Sequence, residues 1–334
     1  MISAHNSEGS SESDEFVPYY DQLDANGKAI YDAMNHADTG KTTLRVELPV
    51  ALTAQADTVD DAKEYITTII NNTFREAFSA LRLSSPLAFW TWASNVVGSP
   101  SLDLSNILFV NNAVTLTSIT LNITCTTPAD KGIQDMLNDI NSAVEKFKTS
   151  STSERDIVMD INNYLVNLVT YDPNFDKSNA SIYDHDLYGV FVDPKHYAVC
   201  DGYSEAFLLL CEKENIDCVM VLGTALPEIG AHAWNYVKMD DGKWYAIDVT
   251  WNDDGSGDNP YFLKGADTFF TDHQQGVYLD SGISDYPFNS PVLSGTAYDK
   301  APATVDYLLY SYIFVILIIA VLFVVLYTHA KRGR

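Results

Sequence analysis

Cys200, His232 and Asp248 are the residue types that thiol catalysis requires: a nucleophile, a base that takes its proton, and a carboxylate that orients the base. They stand in three short motifs, Val199-Cys200-Asp201-Gly202-Tyr203-Ser204-Glu205-Ala206-Phe207, His232-Ala233-Trp234-Asn235 and Ile247-Asp248-Val249-Thr250-Trp251-Asn252-Asp253. The separations, 32 residues from Cys200 to His232 and 16 from there to Asp248, suit a helix followed by two neighbouring strands.

The elements that must position these residues are legible locally. Gly202 allows a tight turn just after Cys200, and Ala206, Phe207, Leu209, Leu210 and Glu214 follow at helical spacing, an amphipathic helix. Cys200 is therefore expected at a helix N-terminus, where unpaired N–H groups and the macrodipole favour a thiolate and stabilise a developing oxyanion. After a turn at Asn215, Cys218 to Gly223 is an apolar run expected as a buried strand. His232 to Met239 alternates as a strand, and Lys243 to Val249 follows the turn Asp240-Asp241-Gly242. Adjacent antiparallel strands bring His232 and Asp248 side by side, with the carboxylate fixing the imidazole tautomer.

These motifs resemble the transglutaminase-like superfamily over roughly residues 150 to 275, and no member of the triad departs from the family pattern. Upstream, helices over Ala129–Phe147 and Ser153–Leu168, the latter capped by Ser153 and Asp156, lead into Tyr171-Asp172, as they do in that family. The resemblance implies an α+β fold with a papain/transglutaminase-like core, the nucleophile helix lying against an antiparallel sheet. It also implies Cys200, His232 and Asp248 as catalytic residues with no cofactor and no metal, acting on a protein or peptide substrate. Three function classes stay open: a thiol hydrolase of the cysteine peptidase/amidase kind, a transglutaminase in which a lysine amine resolves the same intermediate, and a non-catalytic surface binding module. Microbial proteins of this look favour hydrolysis. The single thiol site shows no device for selecting an amine.

Other candidates are weaker. Cys125, Cys211 and Cys218 read as small buried hydrophobes, and four cysteines make no disulfide framework in a chain this long. Asp184-His185-Asp186 invites a metal, but a further ligand is not apparent. Asp253 to Asn259 is acidic yet lacks the spacing of an EF-hand loop, and reads as an exposed turn. Trp234, Trp244 and Trp251 read as wall and core, with Trp234 beside the base a candidate cleft residue; Tyr197 is a weak candidate for an oxyanion hole. Asp272-His273 falls in a loop.

The remaining chain divides by composition. Residues 1–15 are Ser- and Glu-rich, a disordered tether. Residues 16–127 form an N-terminal α+β unit. It has a first helix marked by Tyr20, Leu23, Ile30, Tyr31 and Met34, then a strand at Thr42–Leu48. A long helix follows, capped by Thr58 and Asp61 and carrying Ala62, Tyr65, Ile66, Ile69, Ile70, Phe74 and Ala77; last comes a hairpin around Asn111-Asn112. This unit is expected to pack on the catalytic domain, select substrate or cover the cleft, and Phe89-Trp90-Thr91-Trp92 is expected in its core. The catalytic domain spans 128–288, a linker 289–306, a transmembrane helix 307–327 and a basic tail 328–334. Tyr307 to Tyr327 is uncharged, Tyr-flanked and long enough for a hydrocarbon core of about 30 Å. Lys331, Arg332 and Arg334 favour a tail in the cytoplasm and a catalytic domain outside, the alternative being a tail-anchored protein with a cytosolic enzyme. Residues 1–16 hold no basic or apolar segment of an export signal, though Ile2-Ser3-Ala4 resembles the remnant of a cleavage site. A formal net charge of −25 excludes nucleic acid as a partner, since no basic surface exists to meet phosphates.

Overall fold

The computed structural model describes residues 16–35, 43–91, 96–102, 108–110, 113–125, 132–175, 177, 179–227, 230–276 and 288–299 of the chain. Its first elements are α1 (Tyr19–Gln22), α2 (Ala25–Asn35), β1 (Thr43–Gln55), α3 (Val59–Ser84), a 3-10 turn at Pro86–Thr91, β2 (Val96–Leu102), β3 (Leu108–Val110) and β4 (Ala113–Cys125). The expected first helix is broken at Leu23, which is extended. Asp24 Oδ1 then accepts the N–H of Gly27 at 2.6 Å and starts a second helix. Strands β1, β4 and β2 form an antiparallel sheet in that order, with β3 also pairing β4. The β1 ladder is irregular between Glu47 and Leu52. Pro49 has no N–H to give it, and Val50 instead exchanges hydrogen bonds with the Asn26 side chain, at 3.0 and 2.9 Å. Thr58 caps α3 as expected, accepting from Asp61 N–H at 3.2 Å. Ala62, Ile66, Ile70, Phe74 and Ala77 form its buried stripe, whereas Tyr65 lies to the side of it and is 60% exposed.

The second half runs α4 (Ile133–Val144), α5 (Glu154–Leu168), β5 (Thr170–Tyr171), α6 (Leu187–Phe191), β6 (Tyr197–Ala198), α7 (Cys200–Lys213), β7 (Cys218–Ala225), β8 (Gly230–Lys238), β9 (Trp244–Ile247), α8 (Val249–Asn252), α9 (Ala266–Phe269) and β10 (His273–Gln275). Its antiparallel sheet has the order β10-β7-β8-β9. The helix α7 is not amphipathic: every residue from Gly202 to Cys211 is buried. It is enclosed by β7 and β8, by α5, α6 and α8, and by the 3-10 turn of the first half. Such a helix is hydrophobic all round because it lies inside the domain. The Asn215 turn and the Gly242 turn form as expected, both residues taking positive φ (59° and 78°).

The two halves are in contact. Helix α3 packs on β1 and β4 and also reaches β7. Tyr19 donates its hydroxyl to the Met220 carbonyl at 3.1 Å, and Phe16 meets Trp244 edge-on at 5.6 Å between centroids. Residues 288–299, most of which were expected to begin a free linker, are instead laid on the catalytic sheet. Ser294 N–H donates to Trp244 O and Ala266 N–H to Ser294 O, each at 2.8 Å, with Phe288 and Leu293 buried. Their apolar side chains and the open edge of β9 account for this. Residues 1–15, the transmembrane run 307–327 and the tail 328–334 lie outside the described residues, as do the Asn111-Asn112 turn and the side chains of Phe89, Trp90 and Cys125. Among the described residues no helix is long and apolar enough to cross a membrane.

Candidate active site

Cys200 is the first residue of α7, with Val199 as N-cap, and is only partly buried although Gly202 to Cys211 are enclosed. The approach to it is fixed by backbone: Val199 N–H donates to Asp184 O at 2.7 Å. Gly202 answers to close approach rather than to a turn. A Cβ there would stand 2.9 Å from Asp184 O and 3.0 Å from Ala198 Cβ. His232 lies on β8, opposite Gly223 of β7. Asn235, fully buried on the same strand, donates through Nδ2 to Ser204 O at 3.0 Å and so ties β8 to the nucleophile helix. Asp248 sits just past the last β8–β9 pair, Asn235↔Ile247, as N-cap of α8. Its Oδ1 accepts Trp251 N–H at 3.0 Å and its Oδ2 faces His232 Nε2 at 2.7 Å.

The structure thus brings the three expected residues together. With Nε2 on Asp248, His232 has Nδ1 left for a partner, and the Cys200 thiol is near enough to act on the imidazole. Burial disfavours a charged His232, but the adjoining Asp248 carboxylate and the Cys200 contact outweigh it and push the imidazole up to about 10. Asp248 is completely buried, which would raise its pKa; His232 and His273 more than compensate and hold it at about 2.

His273 was not expected here. Its ring Nε2 is 3.1 Å from Asp248 Oδ2, on the oxygen that His232 uses, and its Nδ1 is 2.7 Å from Asp272 Oδ1. The supposed loop is the short strand β10, paired with β7 through His273↔Ala225. His232, Asp248 and His273 place ligand-type atoms within 4.8 Å of one another, a set able to hold a metal ion, although hydrogen bonds among them already satisfy it.

The weaker candidates lie around this centre. Of Asp184, His185 and Asp186, the first two face each other at 3.8 Å (Oδ1 to Nε2) and Asp186 turns away. Asp186 caps α6, accepting from Tyr188 and Gly189 N–H at 2.8 and 3.1 Å. His185 Nδ1 pairs with Asp201, 2.8 Å from Oδ2, beside the nucleophile. Burial opposes charge on His185, but Asp201 raises it to about 9. Trp234 is fully buried against His273 and Phe269, and the ring stacked on His232 is Trp251, at 5.3 Å and 28°. Tyr197 pairs its backbone with Thr170 and carries Lys195 Nζ over its ring at 5.6 Å. The tyrosine that shares the field of Cys200 is Tyr171, held neutral by burial and by the charges of Cys200, Asp201, Asp184 and Asp248. The Asp253–Asn259 segment is an exposed loop with Gly255 and Gly257 at positive φ, except that Asp253 Oδ2 accepts the Tyr203 hydroxyl at 2.6 Å. Cys211 is a buried free thiol as expected, while Cys218 is only partly buried. Glu205, on α7, has both carboxylate oxygens buried without a hydrogen-bond partner, and burial raises it well above the usual carboxylate range.

Residues 141–249, which include all three expected residues, match the family model of the transglutaminase-like superfamily core. Over this segment the chain is similar to the transglutaminase-like superfamily. The match ends one residue after Asp248 and leaves His273 outside it. No curated protein matches the chain. Similar solved structures include a TGase, 18% identical over 60% of this chain and 50% of its own with a TM-score of 0.31. A candidate cysteine protease from Cytophaga hutchinsonii is 12% identical over 58% of this chain and 69% of its own, with a TM-score of 0.28. The ethylmercury-bound periplasmic domain of TgpA from Pseudomonas aeruginosa is 11% identical over 46% and 65%, with a TM-score of 0.23. The chain spans about half the length of the TGase it resembles (50%).

Proposed function

We propose that this transglutaminase-like domain is a thiol enzyme that cleaves amide or peptide bonds through an acyl-enzyme on Cys200. The observation that carries the reading is the grouping of Cys200 beside His232, itself hydrogen-bonded to Asp248 at 2.7 Å, in which only the thiol end opens towards solvent. Cys200 sulfur attacks the amide carbonyl, forming a C–S bond. The oxyanion is met by backbone N–H groups at the start of α7, and His232 gives its proton to the departing amine as the C–N bond breaks. Water, deprotonated by His232, then attacks the thioester, releasing the acid and restoring the thiol. Asp248 keeps the imidazolium favourable throughout and stays ionised. The substrate is a protein or peptide, and the net charge of −25 favours basic chains. The domain is held at a membrane by residues 307–327, facing away from the cytoplasm.

A transglutaminase would share every one of these residues, so the fate of the thioester decides. The purified protein is incubated with a glutamine-containing protein and a peptide pool, with and without a fluorescent primary amine. New amino termini, absent with Cys200→Ala, are expected; amine incorporation without cleavage would establish transamidation instead. Neither product, with Cys200 unlabelled by a thiol-directed electrophile, would leave a binding module.

A further inference from the structure

We propose that His273 is a positioning residue of this site, holding Asp248 so that Asp248 can hold His232, and that Asp272 and Tyr261 carry the same line to the edge of the domain. The contacts are continuous. Tyr261 donates its hydroxyl to Asp272 Oδ2 at 2.7 Å, Asp272 Oδ1 meets His273 Nδ1 at 2.7 Å, and His273 Nε2 meets Asp248 Oδ2 at 3.1 Å. A carboxylate only accepts, so an imidazole between two of them makes both contacts by donating from both nitrogens. The orientation of His273 is fixed by packing as well. Its ring stacks on Phe269 at 4.0 Å and 19°, with Trp251 at 4.5 Å and Trp234 at 5.0 Å.

The consequence lies at Asp248. With His273 in place, each oxygen of this buried carboxylate is held from outside the His232 contact, Oδ1 by Trp251 N–H and Oδ2 by His273. A carboxylate held at both oxygens cannot rotate, and its partner His232 then keeps Nδ1 directed at Cys200. His273 is 1% exposed and therefore cannot touch substrate. It acts through Asp248. The titratable groups facing Asp248 are His232 on β8, His273 on β10, and the phenols of Tyr171 and Tyr261. Of these, His232 and His273 favour its ionised form.

The inference rests on the thiol chemistry proposed above, and its test needs no substrate. In the full chain, the rate of Cys200 alkylation by iodoacetamide is followed from pH 3 to 10 by peptide-resolved mass spectrometry, for wild type, His273→Phe, His273→Gln and Asp272→Asn. His273→Phe keeps a ring but no donor. It is expected to slow Cys200 alkylation roughly 100-fold, the low end for a positioned proton-transfer group, and to move the acid limb to higher pH as Asp248 loses a group that keeps it ionised. His273→Gln retains one donor and is expected to recover to within about tenfold of wild type. Asp272→Asn, which leaves the core intact, is expected to shift the limb in the same direction by less, and it decides the matter if His273→Phe does not fold. A wild-type profile in Asp272→Asn and His273→Phe, or a drop that is uniform with pH and not rescued by Gln, would overturn the proposal. So would loss of wild-type Cys200 reactivity on treatment with EDTA, which would make His232, Asp248 and His273 metal ligands. Normal alkylation in wild type without turnover of any amide would instead count against the proposed function and leave the role of His273 intact.

Discussion

Replacing Asp248 by Asn tests the electrostatic core of the site with little steric change. The side chain is 0% exposed, and Asn can still cap α8 by accepting from Trp251 N–H. What disappears is the charge. His232 is held at about 10 against an ordinary 6.5, and Asp248 leads the groups that raise it. That difference corresponds to about 5 kcal/mol favouring the imidazolium, the net of what Asp248 and Cys200 contribute over the opposing burial. Complete loss would be a factor of roughly 10³ to 10⁴ in the population of the imidazolium, and with the amide oxygen capping α8 it is the uncharged NH2 that faces both histidines. Asp248→Asn is therefore expected to reduce the rate of Cys200 alkylation below pH 7 by about 10³. The assay is the pH profile of iodoacetamide labelling at Cys200, resolved from Cys211 and Cys218 by peptide mass spectrometry. Far-ultraviolet circular dichroism confirms the folded fraction. A variant that is folded and labels within about threefold of wild type across this range would refute the reasoning.

Three further outcomes follow from the geometry. Turnover of an amide substrate should fall as pH rises through about 10, where His232 loses the proton it gives to the leaving amine, while Cys200 labelling should not fall there. Gly202→Ala forces a methyl to within 2.9 Å of Asp184 O and should cost about 1–3 kcal/mol of stability by denaturant titration, with a larger proportional loss of Cys200 reactivity because the start of α7 shifts. Glu205→Leu removes a carboxyl buried without partners and should raise stability by about 1–3 kcal/mol near neutral pH. The sign follows from linkage: an acid whose folded pKa is raised withholds its proton-bound advantage only where the unfolded chain ionises. The gain should thus be small below about pH 4 and grow above it, and a gain independent of pH would contradict a neutral Glu205.

Features whose cause is local were legible in the sequence. Thr58 and Ser153 cap α3 and α5 as their spacing to Asp61 and Asp156 implied, and the turns at Asn215 and Gly242 follow from residues that tolerate positive φ. That Cys200, His232 and Asp248 come together was legible for a different reason: their spacing fits one helix and two neighbouring strands. Features that depend on neighbours distant in sequence were not. Ser- and Pro-containing residues 288–299 look like a linker until the edge of β9 is there to receive them. Glu205 looks like a solvated charge on an amphipathic face until α7 is seen to be enclosed on all sides.

That enclosure links several of these observations. Because α7 is buried from Gly202 to Cys211, its partners must approach its backbone closely, which is why glycine is needed at position 202 and why Asn235 can reach the Ser204 carbonyl. The same burial removes water from His232 and Asp248, so their pairing is strong and an unpaired charge there would be costly. Only the two ends of α7 open outward, the first turn at Cys200 and the last at Glu212. A buried carboxylate in such a place needs donors that no water can supply, and His273 supplies one from a three-residue strand, HQQ, too short to carry a periodic signal. His273 was hidden in the sequence because the partner that gives it meaning, Asp248, is reached through the pairing of β10 with β7 rather than through any motif around it.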